Sequence, residues 1–305
     1  MKGAKPERSV GIVGAGALGT LLASAFTQAD VPVRILVRSP ERGTAVKRVA
    51  PRAETTEDPA ALFPASVLFF CVKSFQTADA ANGITPALLE GLVPLVTLQN
   101  GWGHLDLLER ALPGVPLIAG TTTLGAFWDD EGVFHASRAG STLFAPWTRA
   151  AEPGAAVRLF TDANLRAERA ADAREILWKK LVLNVAVNPV TGIHGVANGA
   201  VLEAPALFEL SLAAAREAVA VGAARRFLPA PYEPEPLLRA LLRDTAGNRS
   251  SMAEDLARGR TTEADAILGA VVREGAAAGV PTPIAASLAE RLAVLESARS
   301  THPRG

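Results

Sequence analysis

Ser9-Val10-Gly11-Ile12-Val13-Gly14-Ala15-Gly16-Ala17-Leu18-Gly19 carries the strongest structural signal in the chain. An apolar, strand-like run over residues 9–13 meets a glycine-rich turn, and an apolar helical stretch over 17–29 follows. The turn reads G-x-G-x-x-G. Gly14 permits a tight turn, Gly16 lets backbone approach a pyrophosphate, and Gly19 allows a helix to lie close on a strand. Amides at the helix start then face the phosphates. A bare match to this pattern is weak, because a glycine-rich turn also joins strand to helix with no ligand. The strand–turn–helix setting favours a dinucleotide held by Gly14, Ala15, Gly16, Ala17, Leu18 and Gly19.

Outward from this turn, β-like runs alternate with helical stretches. Strands are expected over 33–37, 67–72, 95–98 and 116–119. That alternation predicts a parallel sheet with helices on both faces. Short pieces at 121–127, 132–136 and 141–144 read as the far edge of the sheet, with an antiparallel arrangement open. The second strand selects the dinucleotide. An NAD site usually carries an acid there for the ribose 2′-hydroxyl. This chain has Val37-Arg38-Ser39-Pro40-Glu41-Arg42. Arg38 suits a 2′-phosphate, Ser39 or Arg42 could assist, and NADP(H) is the expected cofactor. The alternative is that Arg38 is a solvated strand end.

From about residue 172 the strand signal stops and Ala, Leu, Glu and Arg at helical spacing take over. The expected domains are 1–170, binding dinucleotide, and 171–305, helical. Gly279-Val280-Pro281-Thr282-Pro283 breaks the pattern before a last helix.

Composition narrows the function. Of 305 residues, 49% are hydrophobic, ample for buried cores. Lys+Arg and Asp+Glu balance at 31 each, so nothing suggests a nucleic-acid partner. A single cysteine, Cys71, excludes an intrachain disulfide and a thiolate metal cluster, and fits a reducing cytoplasm. Cys71 itself reads as a small core residue. His104, His135, His194 and His302 lack metal-ligand spacing. No run reaches the roughly 18–20 apolar residues that a membrane span needs, and residues 1–8 lack the apolar stretch of a signal peptide.

The helical half carries Trp178-Lys179-Lys180-Leu181-Val182-Leu183-Asn184-Val185-Ala186-Val187-Asn188-Pro189. Lys180, Asn184 and Asn188 are four apart and stack on one face of a helix that is otherwise apolar. A buried ammonium and two buried amides need partners, and a ligand rich in oxygen would supply them. The competing reading is that Lys180, near a helix start, snorkels while the amides pair with backbone. Pro189 is expected to disturb the helix after Asn188. Asn248 and Ser251, three apart, share a face if their segment is helical. Glu263 follows in Gly259-Arg260-Thr261-Thr262-Glu263-Ala264-Asp265. Its alternative role is that of a first-turn acid favoured by the helix dipole, with Thr262 and Asp265 as a cap.

Taken together these pieces resemble ketopantoate reductase. Gly14–Gly19 is joined by Val72-Lys73-Ser74-Phe75-Gln76, Gln99-Asn100-Gly101-Trp102-Gly103, Gly120-Thr121-Thr122-Thr123, the 178–189 helix, and Asn248-Arg249-Ser250-Ser251-Met252 with 259–265. They occur in the family's order over residues 10–265. The resemblance implies a Rossmann-type α/β domain followed by an all-α domain of the 6-phosphogluconate dehydrogenase C-terminal type. It implies NADPH-dependent reduction of 2-dehydropantoate to pantoate, in pantothenate and coenzyme A biosynthesis. Lys180 matches the family's general acid and Glu263 the acid beside it. Asn184, Asn188, Asn248 and Ser251 match substrate contacts. Asn100 falls between nicotinamide and substrate. Lys73, Gln76 and Thr121 match positions near the cofactor, and Arg38 matches its 2′-phosphate contact. The family includes dimers, and an apolar helical domain could support one. Ala264 replaces the commoner isoleucine. Trp102 is bulkier than the usual residue between its glycines, so a narrowed substrate space is expected.

Overall fold

β1 (Val10–Val13) is buried at every position, as a central strand covered on both faces must be. The computed structural model describes residues 8–300, with the side chains of 86–91, 299 and 300 excepted. After β1 come α1 (Ala17–Gln28), β2 (Val33–Leu36), α2 (Pro40–Val49) and β3 (Glu54–Thr56). Then follow β4 (Val67–Phe70), α3 (Thr77–Gly91), β5 (Leu95–Thr97), α4 (His104–Ala111) and β6 (Leu117–Thr122). β7 (Gly125–Trp128), β8 (Phe134–Ser137), β9 (Ser141–Pro146), α5 (Gly154–Asp162) and β10 (Arg166–Arg169) complete the β-containing half.

An eight-stranded sheet runs in the order β10-β9-β6-β5-β4-β1-β2-β3. Its neighbours pair parallel except β6 with β9, which pair antiparallel, Gly120 opposite Phe144. Strand order reverses at β1, so the glycine turn leaves the sheet at its topological switch point. Successive side chains of β4 bury opposite faces: Leu68 on one and Phe69 on the other. Phe69 joins Phe26 of α1, Phe144 of β9 and Phe160 of α5, with ring centroids 5.0–5.8 Å apart. Those rings fasten α1 and α5 to one face of the sheet.

Of the pieces expected at the far edge, 141–144 lies in β9, which joins the large sheet antiparallel to β6, but β10 and not β9 is the edge strand. The stretch 121–127 divides, because β6 runs on to Thr122 while β7 and β8 form a separate two-stranded antiparallel sheet. Thr122 marks the division: its Oγ1 accepts from the backbone of Leu124 and bonds Thr142 across the ladder.

The remaining described elements are helices: α6 (Ala173–His194), α7 (Asn198–Glu203), α8 (Pro205–Ala224), α9 (Pro234–Asp244) and α10 (Ser251–Ala257). A π-helical turn (Asp265–Gly269), α11 (Ala270–Ala278) and α12 (Pro283–Ser300) end the chain. The break before the last helix lies where the sequence puts it. Gly279 takes φ 68°, closing α11, and the Glu217 carboxylate accepts the backbone N–H groups of Ile284 and Ala285 at the start of α12. No described helix is long and apolar enough to cross a membrane.

Contacts divide the chain into two compact units. One holds residues up to Gln99 and His104–Ile176. The other holds Asn100–Gly103 and everything from Leu177. The fold is thus a parallel-sheet α/β domain followed by an α-helical one. Helix α6 starts in the first unit and continues into the second, and a four-residue segment from the α/β half belongs to the helical unit.

Candidate active site

The glycine turn has the geometry of a dinucleotide cradle. Gly14 has φ 108°, and a Cβ there would lie 2.7 Å from the Cys71 backbone at the end of β4. A Cβ on Gly19 would lie 2.0 Å from the Gly14 carbonyl oxygen. These two glycines are demanded by the protein's own packing. Gly16 is different: a Cβ would meet no atom within 4 Å. It is the N-cap of α1, with no side chain capping that end. An open glycine before an uncapped helix start is what a pyrophosphate requires. Ala15, Ala17 and Leu18 complete the turn, and Arg42 Nε donates to the Ala15 carbonyl at 2.6 Å.

The other sequence-predicted cofactor residues also lie at or beyond the carboxyl ends of sheet strands, where open α/β sheets bind ligands. Arg38 is exposed just beyond β2. Lys73 and Gln76 bracket a 3₁₀ turn after β4, and Thr121 lies near the end of β6. Ser39 and Arg42 have structural duties. Ser39 Oγ accepts from Arg42 N to cap α2, while the Arg42 guanidinium lies over the Trp128 ring, 5.2 Å from its centroid. Gln99, which sequence reading gave no role, fixes the end of β5: Nε2 donates to Thr77 Oγ1 at 2.7 Å and to the Val72 carbonyl at 3.1 Å. The signal for it was a buried amide directly before Asn100.

In the helical unit, Lys180 is not near a helix start. The Asp172 carboxylate accepts the N–H groups of Arg174 and Glu175, so α6 begins about two turns earlier. That removes the end of the helix as a route outward. Pro189 does not end α6 either, which runs on to His194. Its missing N–H leaves the Val185 carbonyl without the usual helical donor. Asn188 is buried; Asn184 and Lys180 are partly so. Thr191 extends the same polar face, and its hydroxyl lies 2.7 Å from that of Ser250. Ser250 caps α10 by accepting from Ala253 N. Thr191 and Ser250, both missed in the sequence, therefore tie the start of α10 to the polar face of α6, while Ser251 itself is exposed.

The helical pairing of Asn248 with Ser251 does not form, because α10 starts only at Ser251 and the serine before it is the cap. Asn248 lies outside the helix, its carbonyl accepting from Asn198 N at 2.9 Å and its side chain exposed.

Glu263 is buried, and its Oε2 accepts from Asn100 Nδ2 at 3.1 Å. It is not a solvated first-turn acid. Thr262 Oγ1 does accept from Ala264 N, so part of the expected cap exists, and a π-helical turn follows. Such turns recur at functional sites. Burial lowers the pKa of Lys180 to about 8, while the charge of Glu263 works in the opposite direction. Lys180 is partly exposed as a residue, yet desolvation of its ammonium dominates. Lys180, Glu263 and Asn100 thus belong to one unit and are electrostatically or directly linked. Trp102 is 7% exposed and packs on Trp178 and Phe227. Its bulk fills the core of the helical unit.

A doubly wound sheet with this glycine turn, followed by a helical unit, defines a pyridine-nucleotide-dependent oxidoreductase. The family described as "Ketopantoate reductase PanE/ApbA" matches residues 10–149, and its C-terminal counterpart matches 172–296. The chain belongs to the ketopantoate reductase family. It is 30% identical to a 2-dehydropantoate 2-reductase of Archaeoglobus fulgidus, covering 94% of this chain and 98% of that one. The corresponding figures for one from Halobacterium salinarum are 29%, 92% and 96%. A solved PanE/ApbA family ketopantoate reductase from Ralstonia eutropha superposes with a TM-score of 0.85 at 26% identity, over 96% of this chain and 99% of that one. D-mandelate dehydrogenase with NADH and anilino(oxo)acetate shares the fold, with the same TM-score and coverage at 20% identity.

Proposed function

We propose that this chain reduces 2-dehydropantoate to pantoate with NADPH, with Lys180 as general acid. The observation that carries the reading is the buried ammonium of Lys180, its pKa drawn down to about 8 against the charge of Glu263. General acids work best with a pKa near the working pH. The residues of the glycine turn would hold NADPH, which would supply the hydride that the C2 carbonyl carbon accepts. The carbonyl π electrons move to oxygen, and Lys180 gives that oxygen a proton, leaving a neutral amine and a hydroxyl group. Glu263 keeps the ammonium charged enough to act, and Asn100 holds the Glu263 carboxylate through its amide. Asn184, Asn188, Asn248 and Ser251 offer hydrogen bonds to the substrate hydroxyl and carboxylate. Arg38 pairs with the 2′-phosphate and so favours NADPH over NADH. Lys73, Gln76 and Thr121 contact the cofactor.

One alternative has support of its own. A protein of this fold is D-mandelate dehydrogenase, seen with NADH, so reduction of a different 2-oxo acid is the competing activity. A non-catalytic NADP(H)-binding regulator would need no buried lysine beside a carboxylate. NADPH oxidation measured against a panel of 2-oxo acids separates the readings. The highest kcat/KM is expected for 2-dehydropantoate. Preference for another acid would replace the substrate, and no turnover with any would point to the regulator.

A further inference from the structure

Asn100 reaches Glu263 from a segment that ought to be loose. Two glycines with φ 90°, Gly101 and Gly103, flank Trp102. Glycine in such a conformation costs more chain entropy than any other residue. What restrains the segment is Trp102. Its backbone N–H donates to the Ala266 carbonyl in the π-helical turn at 2.9 Å, and its Nε1–H donates to Glu274 Oε1 at 3.1 Å. Arg225 Nε holds the other Glu274 oxygen at 2.7 Å. The indole meets Trp178 edge-on at 5.0 Å between centroids and Phe227 at 4.5 Å. Trp178 is itself fixed by its Nε1–H to the Ala218 carbonyl at 2.8 Å, and it lies two residues before Lys180 on α6. The fit is close. A Cβ on Gly101 would lie 2.4 Å from the Ala266 carbonyl oxygen.

We propose that Trp102 is a positioning residue for the reaction: its ring docks the 100–103 segment on the π-helical turn and so delivers the Asn100 amide to the Glu263 carboxylate. The same aromatic cluster grips α6 beside Lys180, so one anchor serves both sides of the site. Trp102 touches neither reactant, and its effect passes through Asn100. The inference rests on the functional reading above wherever turnover is the readout.

Two measurements test it. Hydrogen exchange of peptides spanning residues 100–103 needs no substrate. In Trp102→Ala the backbone amide of residue 102 should lose its protection; in Trp102→Phe, which keeps an aromatic ring, most protection should remain. The second is a double-mutant cycle on kcat with Asn100→Ala. Trp102→Ala should lower kcat by about tenfold to a hundredfold in the native background, as loss of alignment does, and by little once Asn100 is already alanine. Unchanged exchange in Trp102→Ala overturns the proposal. So does an equal loss of kcat in both backgrounds, since that means a general loss of stability. If Trp102→Ala does not fold, Trp102→Leu and Glu274→Ala run the same cycle with the same criteria. If the wild-type protein turns over no 2-oxo acid, the functional reading fails, while exchange still decides whether Trp102 anchors the segment.

Discussion

The glycine turn and the Lys180–Glu263–Asn100 group are built in opposite ways. The turn is six consecutive residues, and its chemistry is backbone: space at Gly16 and amides at a helix start. The acid group is side chains from three distant segments, with Asn100 and Glu263 separated by 163 residues. A local backbone site depends on sterics at a few positions. A dispersed side-chain site depends on packing throughout a unit. Substitutions should therefore damage the two in different currencies, binding at the turn and turnover at the acid group.

The largest effect is expected for Lys180→Ala. Loss of the general acid should lower turnover by about 10²–10⁴ and leave NADPH affinity, read by fluorescence titration, unchanged. Weaker NADPH binding in this variant would erase the distinction between the two regions. Within the turn, Gly19→Ala should destabilise the protein by about 1–3 kcal/mol, because overpacking forces backbone apart, whereas Gly16→Ala should keep the melting temperature and lose NADPH affinity. Calorimetry with a binding titration checks both; a Gly16→Ala protein with full affinity would mean that no pyrophosphate lies there. Arg38→Glu should weaken NADPH by about tenfold to a hundredfold, the loss of a charge-assisted contact, and leave NADH nearly unaffected. Equal losses for both would remove the 2′-phosphate role. The smallest effect belongs to Glu263→Gln. Removing the charge that raises the Lys180 pKa should move the alkaline fall of the pH–rate profile to lower pH. A move to higher pH would contradict that electrostatic link.

What the sequence revealed follows the same division. The turn was legible because all its information is consecutive, and β1, β4 and β5 were legible because strands buried on both faces are nearly continuous apolar runs. β3 and β10 were not. Each is an outermost strand of the sheet, and Glu54, Arg166, Glu168 and Arg169 give them no apolar run to recognise. The polar face of α6 was visible from spacing. Its extension to Thr191, and the tie from there to Ser250, were not, because that partner comes from another helix. The surroundings of Trp102 were hidden for a similar reason. Local sequence gives its size, and only the packed unit shows that Trp178 and Phe227 surround it. Pro189 was expected to disturb the helix after Asn188, yet the helix carries it to His194, so apolar burial around α6 outweighs one missing backbone bond.

The most direct test of the account is the pH dependence of single-turnover reduction of 2-dehydropantoate by the NADPH-bound enzyme. A lysine that donates a proton must start protonated, so the rate should be level below about 8 and fall tenfold per pH unit above it. A rate independent of pH from 7 to 10 (roughly the span across which Lys180 would lose its proton) would contradict Lys180 as the acid.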